Sequence, residues 1–423
     1  NRFQNTIGAE LNFFNNSLRI NGNYTYQKSE EADTWYKTKY TIGYGPSDFR
    51  ELGTSYASVN NTNETYQVVE LYGTFNKEWN QHQFTGILGF NQEENIWNYH
   101  KAEREGLISG SLPSIGLAYG NQYVNEQIAD WSTRGLFYRL NYVYKNRYIL
   151  EFNGRYDGSS RFPENKRFGF FPSASVAWRA DAEPFFESLR PALSQLKPRF
   201  SYGSLGNQMV SEYGYIPTMT SRQGNYVIDG KYAQVVTAPG IVSSDYTWEK
   251  VTTLNGGVDF GFLNNRLTAS IDAYRRDTKG MLTLGKDLPG VLGASEPKEN
   301  AADMKTTGWE LSIAYQDNLQ LAGKPLSWSA KFTLSDNQSW ITRFDNPDKN
   351  LGQYYEGYKM GDIWGLKSDG LFTSKEEIAA LDESTIIPWG ALEIVPGWPK
   401  YKDLNNDGKI TKGTTANEPN DLS

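Results

Sequence analysis

Residues 326–336 read LSWSAKFTLSD, and every second position is apolar: Leu326, Trp328, Ala330, Phe332 and Leu334 stand against Ser327, Ser329, Lys331, Thr333 and Ser335. A helix would scatter these side chains round a cylinder. A strand sends them to opposite faces, so the stretch predicts a β-strand with one apolar and one polar side. The pattern recurs upstream. In RYILEFNGRYD (147–157), Tyr148, Leu150, Phe152 and Tyr156 share one face, while Glu151, Asn153 and Arg155 share the other. Thr307, Trp309, Leu311, Ile313 and Tyr315 form another such row, and Leu267, Ala269, Ile271 and Ala273 a further one.

Along the chain these runs predict about twelve strands of roughly ten residues or more, longer than the five or six usual in soluble sheets. They begin near residues 5, 17, 66, 82, 131, 147, 168, 196, 250, 266, 305 and 326. The links between them alternate in length. Short ones fall at Asn15–Asn16, around Asn80 and Gln81, at Lys145–Asn146 and at Asn264–Asn265, with a longer one at 317–325. The link at 180–195 holds EPFFESLRPAL, which reads as a small helix. Long loops are expected at about 29–65, 94–130, 158–167, 207–249 and 277–304, and after 338.

Short turns at one end and long loops at the other is the arrangement of an antiparallel transmembrane β-barrel, with periplasmic turns and extracellular loops. A soluble sandwich or propeller would also alternate, but rows such as Trp328 and Phe332 carry more apolar bulk than a thin sandwich buries. Tyr142, Tyr144 and Tyr148 suit an interfacial girdle, where the ring lies in apolar surroundings and the hydroxyl in water. Pro172 donates no ladder hydrogen bond, so a bulge is expected there, or a strand that starts after it.

Composition agrees. The chain of 423 residues is 38% hydrophobic yet 14% aromatic, and its mean hydropathy is −0.63. No stretch has the roughly 18–20 consecutive apolar residues of a spanning helix, whereas a barrel needs only alternate residues to face lipid. There is no cysteine, which excludes a disulfide framework and thiolate metal sites. The net charge of −7 supplies no basic face for nucleic acid or anionic lipid. The first residues, NRFQNTIGAELNFF, do not form a secretory leader.

RYDGSSRFPENKRFGFFPSASVAWR, beginning at Arg155, resembles the most recognisable stretch of SusC/RagA TonB-dependent outer-membrane transporters. The residues carrying the likeness are Asp157, Gly158, Ser159, Ser160, Arg161 and Phe162, then Phe171, Pro172 and Ser173. SYGSLGNQ (201–208), LNNRLTASIDAYRRDTKGML (263–282) and GWELSIAY (308–315) continue it in order. Physically, DGSSRF reads as a tight turn, with Asp157 giving an Asx-type bond and Gly158 a permissive backbone. Arg161 and Arg167 are placed to pair with carboxylates of neighbouring loops.

The resemblance implies a barrel of about 22 strands, of which residues 1–423 are the C-terminal part, with a long loop region at 338–423. The plug, the TonB box and the first strands would lie outside this chain. It further implies import of nutrients, oligosaccharides above all, energised through the TonB complex and assisted by a SusD-like surface lipoprotein. The setting would be the lipid of the outer membrane of a Gram-negative bacterium, in the Bacteroidetes. Peptide import, a passive porin and a soluble β-rich glycan-binding module are the alternatives.

Three further features bear on function. Trp97 with Tyr99, Tyr354 with Tyr355 and Tyr358, and Trp389 with Trp398 are aromatic clusters expected in loops, suited to stacking on sugar rings or peptide side chains and equally to packing among themselves. In YKMGDIWGLKSDGLFTSKEEIAAL (358–381), Gly361, Gly365 and Gly370 are expected to set bends. Ser374 and Glu377 form a capping box that starts a short helix at about Lys375.

The run KYKDLNNDGKI places Asp403, Asn405 and Asp407 at alternate positions, with Gly408 at a turn and Lys409 offering its carbonyl. That is the start of a calcium loop or an Asx-rich turn, and Thr414 stands where a calcium loop has its bidentate Glu. Only two histidines exist, His82 and His100, expected in a turn and in a loop. Neither has a nucleophile elbow, and no Walker or Rossmann pattern is present, so no enzyme is expected.

Overall fold

The structure is a computed structural model that describes residues 1–243, 245–285, 289–293, 296–380 and 393–423. In chain order its strands are β1 (Arg2–Phe13), β2 (Leu18–Lys37), β3 (Tyr40–Gly43), β4 (Phe49–Leu52), β5 (Tyr56–Trp79) and β6 (His82–Glu105). They continue with β7 (Gln122–Tyr144), β8 (Tyr148–Ser159), β9 (Phe168–Trp178), β10 (Leu193–Asn207), β11 (Ser221–Ile228) and β12 (Lys231–Val236). The last are β13 (Glu249–Phe262), β14 (Leu267–Leu284), β15 (Lys298–Leu321), β16 (Lys324–Arg343), β17 (Ser368–Leu371) and β18 (Pro399–Tyr401), with one helix, α1 (Lys375–Ala379).

Twelve of these strands form one antiparallel sheet in the order β1-β2-β5-β6-β7-β8-β9-β10-β13-β14-β15-β16; β3–β4, β11–β12 and β17–β18 are separate hairpins or pairs. The chain divides into two compact units, Asn1–Glu187 with Ser201–Ile216, and Ser188–Phe200 with Pro217–Ser423.

All twelve expected strands are present. Asparagines make the short turns: Asn15, Asn16, Asn80, Asn146, Asn264 and Asn265 all have positive φ, the left-handed conformation they tolerate better than most residues. The link expected at 317–325 is shorter, a two-residue turn at Ala322–Gly323, because β15 runs on to Leu321. The helix expected within 180–195 is instead two single turns of 3₁₀ helix, Ala180–Ala182 and Pro184–Phe186. Pro191 forbids a longer α-helix, and the Phe186 ring is buried against this link.

Pro172 also departs from expectation. β9 pairs with β8 without a bulge from Tyr148↔Trp178 to Gly158↔Phe168, and Pro172 stands opposite Gly154. The glycine has no side chain to meet the pyrrolidine ring. Nor is DGSSRF a tight turn from its first residue: Asp157, Gly158 and Ser159 finish β8, and the chain turns only from Ser160. Glycines beside Asp157 allow this, since a Cβ at Gly135 would occupy the place of its carboxylate.

The register carries the apolar rows from strand to strand. In the first unit one row runs Phe13, Leu18, Phe75, Gly86, Leu140, Phe152, Ala174, and the next Leu11, Ile20, Gly73, Leu88, Tyr138, Gly154, Pro172. Nearest the short turns lies an aromatic row, Trp79, His82, Tyr144, Tyr148 and Trp178, in which Trp79 stacks on His82 at 5.2 Å. In the second unit, Leu254 to Phe262, Leu267 to Ala273, Trp309 to Tyr315 and Leu326 to Leu334 supply the corresponding rows at alternate positions. Leu88, Phe152, Phe332 and Leu334 are all about half exposed or more. Side chains so apolar and so open make a lipid-facing belt.

β5 and β6 have 24 residues each, about 80 Å along the strand, against a hydrocarbon core of about 30 Å. The belt occupies only the part next to the short turns. Beyond it the same face turns polar, with Gln67, Asn63 and Asn61 on β5 beside Glu94, Asn98 and His100 on β6. The strands therefore stand well clear of the belt on the long-loop side. That is why loops were expected at 29–65 and 94–130 where β2, β5, β6 and β7 continue, and why His82 and His100 prove to be strand residues.

Candidate functional site

Opposite the belt, each strand presents a polar face. In the first unit it is cross-linked by charge: Arg155 bonds Asp157 at 2.8 and 2.9 Å and Asn91 at 2.7 Å, while Glu151 accepts from Arg139 at 2.7 Å and from Asn141 at 3.1 Å. In the second unit Arg199 holds both oxygens of Asp272 at 2.6 Å and reaches Asp259 at 3.3 Å. A Cβ at Gly257 would collide with Asp272 and with the Arg199 guanidinium. Buried or half-buried charges are tolerated when bonded in this way.

Where the strands pass beyond the belt, the polar face becomes aromatic. Trp97 and Tyr99 lie two residues apart on β6, their rings parallel within 2° and 5.8 Å between centroids. Tyr99 donates to Asn60 at 3.3 Å, and Glu64 stands directly opposite Trp97. One row nearer the belt are Tyr66 and Trp131, with ring centroids 6.3 Å apart and Asn95 between them in register. Asn95 is buried, and its side-chain oxygen has no partner among the described residues. Trp97 and Tyr99, expected in a loop, are thus fixed on a rigid strand. Tyr66, Trp131 and Asn95 were missed, and only the register puts them in this group.

The DGSSRF segment borders the cluster. Arg161 lies over the Trp131 ring at 5.2 Å, donates to the carbonyls of Gln208 and Val210 at 3.4 and 3.3 Å, and pairs with Glu212 at 2.8 Å. Tyr213 accepts from the Asp130 amide at 3.3 Å. Arg167 bonds the Phe162 carbonyl at 3.1 Å, and Phe162 is fully buried. Ser159 is buried as well, and the Ser160 hydroxyl accepts from the Ser132 amide. Phe171 is buried beside Gly169 and Gly206, and Ser173 bonds Asn153. Arg161, Ser160, Arg167, Phe171 and Ser173 are thus each engaged within the stretch or with the elements beside it.

In the second unit Phe344, Tyr354, Tyr355 and Tyr358 pack edge-on or tilted with centroids 5.2–5.9 Å apart. Phe344, Tyr354 and Tyr358 border a cavity of about 340 Å³, together with Leu284, Glu296 and Gln353. Tyr355 is buried in support of them. Trp389 lies outside the described residues. The capping box forms as expected: Ser374 accepts from the Glu377 amide at 3.1 Å and α1 starts at Lys375. Glu377 reaches back to the Thr373 amide and hydroxyl, both at 2.7 Å, and binds Lys400 at 2.5 Å; these bonds hold its carboxyl down at about 2. Gly361 and Gly370 have positive φ; Gly365 does not.

At the D-x-N-x-D-G run, Asp403 accepts from the amides of Asn406 and Gly408, Asn405 from that of Asp407, and Asp407 from that of Lys409. Gly408 has positive φ as the turn requires. Asp421, fully buried and not foreseen, closes the loop by accepting from Leu404 and Thr411 at 2.7 and 2.6 Å. These bonds, with Asn405 also donating to Asp407 at 3.0 Å, give the run the arrangement of an Asx-rich turn.

Comparison with known proteins agrees with this geometry. The chain is 33% identical over 228 residues to the TonB-dependent receptor SusC of Bacteroides thetaiotaomicron, covering 52% of this chain and 21% of that protein. It is 26% identical over 375 residues to the TonB-dependent receptor P3 of Formosa agariphila, covering 82% and 35%. The chain therefore spans about a third or less of the curated relatives it matches. Among solved structures, the RagAB peptide transporter superposes with a TM-score of 0.74 at 22% identity, over 91% of this chain and 41% of that one. Residues 1–373 match the family described as TonB dependent receptor-like, beta-barrel, and with its lipid belt, asparagine turns and long-loop extensions the chain belongs to that family.

Proposed function

We propose that this chain forms part of the barrel wall of an energised outer-membrane importer in a member of the Bacteroidetes. It works with a SusD-like surface lipoprotein and the TonB complex, and its cargo is an oligosaccharide. The function is transport, with no chemistry done on the cargo. The observation that carries the cargo assignment is the parallel Trp97–Tyr99 pair on the polar face beyond the belt, with Asn60 and Glu64 beside it. Parallel rings bordered by amide and carboxylate acceptors suit a sugar, whose C–H face stacks while its hydroxyls donate. SusC is the relative with 33% identity, and RagAB, a fold match alone, is described as a peptide transporter.

The test is calorimetric titration of the purified full-length chain, with its lipoprotein, against neutral oligosaccharides and mixed peptides. Oligosaccharide binding that weakens tenfold or more in Trp97→Ala, with barrel migration unchanged, is expected. Binding of peptides alone would move the cargo to that class. Uptake that survives loss of TonB would make the protein a passive porin.

A further inference from the structure

The net charge of −7 conceals a local excess of the opposite sign. On the lipid-facing side of the second unit, the residues just past the belt toward the long loops are Lys250 and Thr252 on β13, Arg275, Asp277 and Lys279 on β14, Lys305 and Thr307 on β15, and Asp336, Gln338 and Trp340 on β16. Lys250 and Lys279 stand directly opposite one another, both exposed. Like charges so placed destabilise a sheet unless an anion lies between or beside them. Neither ammonium has a carboxylate within ion-pair distance among the described residues. Asp303, which feels the charge of Lys279, is already bound by Arg343 at 2.9 and 3.0 Å.

Arg275 is neutralised by Asp277 at 2.9 Å. Lys305 lies over the Trp340 ring, 5.3 Å from its centroid. Trp309, at the top of its apolar row, is 41% exposed and marks the level where hydrocarbon gives way to headgroups. The strip in the first unit has no such excess: Lys28 is bound to Glu30 at 2.5 Å, and Arg134 shares its face with Glu94 and Asp130.

We infer that Lys250, Lys279 and Lys305 form a docking site for the phosphate of an anionic membrane lipid, whose acyl chains lie along the apolar rows below. Charge complementarity and continuity with the belt select that occupant. A soluble anion would gain nothing from the belt, and a protein partner would have to displace lipid from it. This rests on the outer-membrane reading above.

The experiment titrates the full-length chain in mild detergent with monophosphorylated lipid A, and with the same lipid after phosphatase treatment, counting adducts by native mass spectrometry. The phosphorylated lipid is expected to bind preferentially. Each cation removed in the series Lys250→Gln, Lys279→Gln, Lys305→Gln should weaken it by about a factor of five, roughly a hundredfold for the triple variant. Heat-modifiable migration should stay unchanged. Equal binding of both lipids, or an unaltered triple variant, would overturn the site. Displacement by millimolar inorganic phosphate would overturn the lipid as occupant. A chain with no heat-modifiable barrel form would instead sink the outer-membrane reading, and this inference with it.

Discussion

Phe171 shows how little room single residues have on these faces. Its ring is buried and occupies the space that a Cβ would take at Gly206, and again at Gly169. Gly206→Ala should therefore force the ring off its rotamer and cost about 1–3 kcal/mol, read as a lower midpoint for loss of the heat-modifiable form; Phe171→Leu in the same chain should recover part of it. Glu377 carries a pH dependence. Its carboxyl is lowered to about 2 from an ordinary 4.5, first by Lys400 and then by Thr373. A depressed acid gives stability that is fully present above the unfolded value and is lost as pH falls through the folded one. Amide protection over residues 373–380 should hold down to about pH 4 and vanish toward pH 2; in Lys400→Met the loss should begin at higher pH. Hydrogen exchange at stepped pH measures both. At the D-x-N-x-D-G run the side-chain oxygens are already bonded to amides, so removing calcium with EGTA should shift the thermal midpoint by less than about 1 °C. A shift of several degrees would show that calcium binds at this run.

At the scale of elements, the Arg161 side chain joins the turn after β8 to residues 208–212 through two carbonyls and Glu212, and covers Trp131. Hydrogen bonds to a charged group contribute about 1.5–3 kcal/mol. Arg161→Met keeps the apolar contact with Trp131 and removes the bonds, so exchange across 208–216 should accelerate at least tenfold while that within β8 and β9 stays slow. If both regions quicken together, the arginine supports the whole sheet. The twelve strands were legible in the sequence because lipid and water impose opposite demands on alternate residues. Their long-loop ends were not. On β5 beyond the belt, Asn61, Asn63 and Thr65 on one face meet Asn60, Thr62 and Glu64 on the other, and two polar faces leave no alternation to read. That loss also hid the setting of Trp97 and Tyr99. The capping box at Ser374 was legible because its bonds are local, whereas the pairing of Glu377 with Lys400 spans 23 residues and has no sequence signature.

For the whole molecule, the sidedness of the sheet is the property on which belt, polar face and lipid site all depend, and it has a direct test in β16. Phe332 lies on the apolar side between Leu334 and Ala330, opposite Ile313; Thr333 lies on the polar side, opposite Ser312. Adjacent in sequence, the two should respond in opposite ways to the same charge. An arginine at mid-belt on the lipid face costs about 2–4 kcal/mol, while one on the lumenal face of a barrel meets water. Phe332→Arg should accordingly reduce the yield of folded, heat-modifiable full-length chain on refolding into phosphatidylcholine vesicles, and Thr333→Arg should leave it within error. A soluble sheet would give a different pair of results, because Phe332 is already 56% exposed and an arginine there would be harmless. The comparison thus separates a membrane wall from a soluble one. It does so without reference to cargo, partner or TonB, so it holds for the family's fold even where the proposed transport fails.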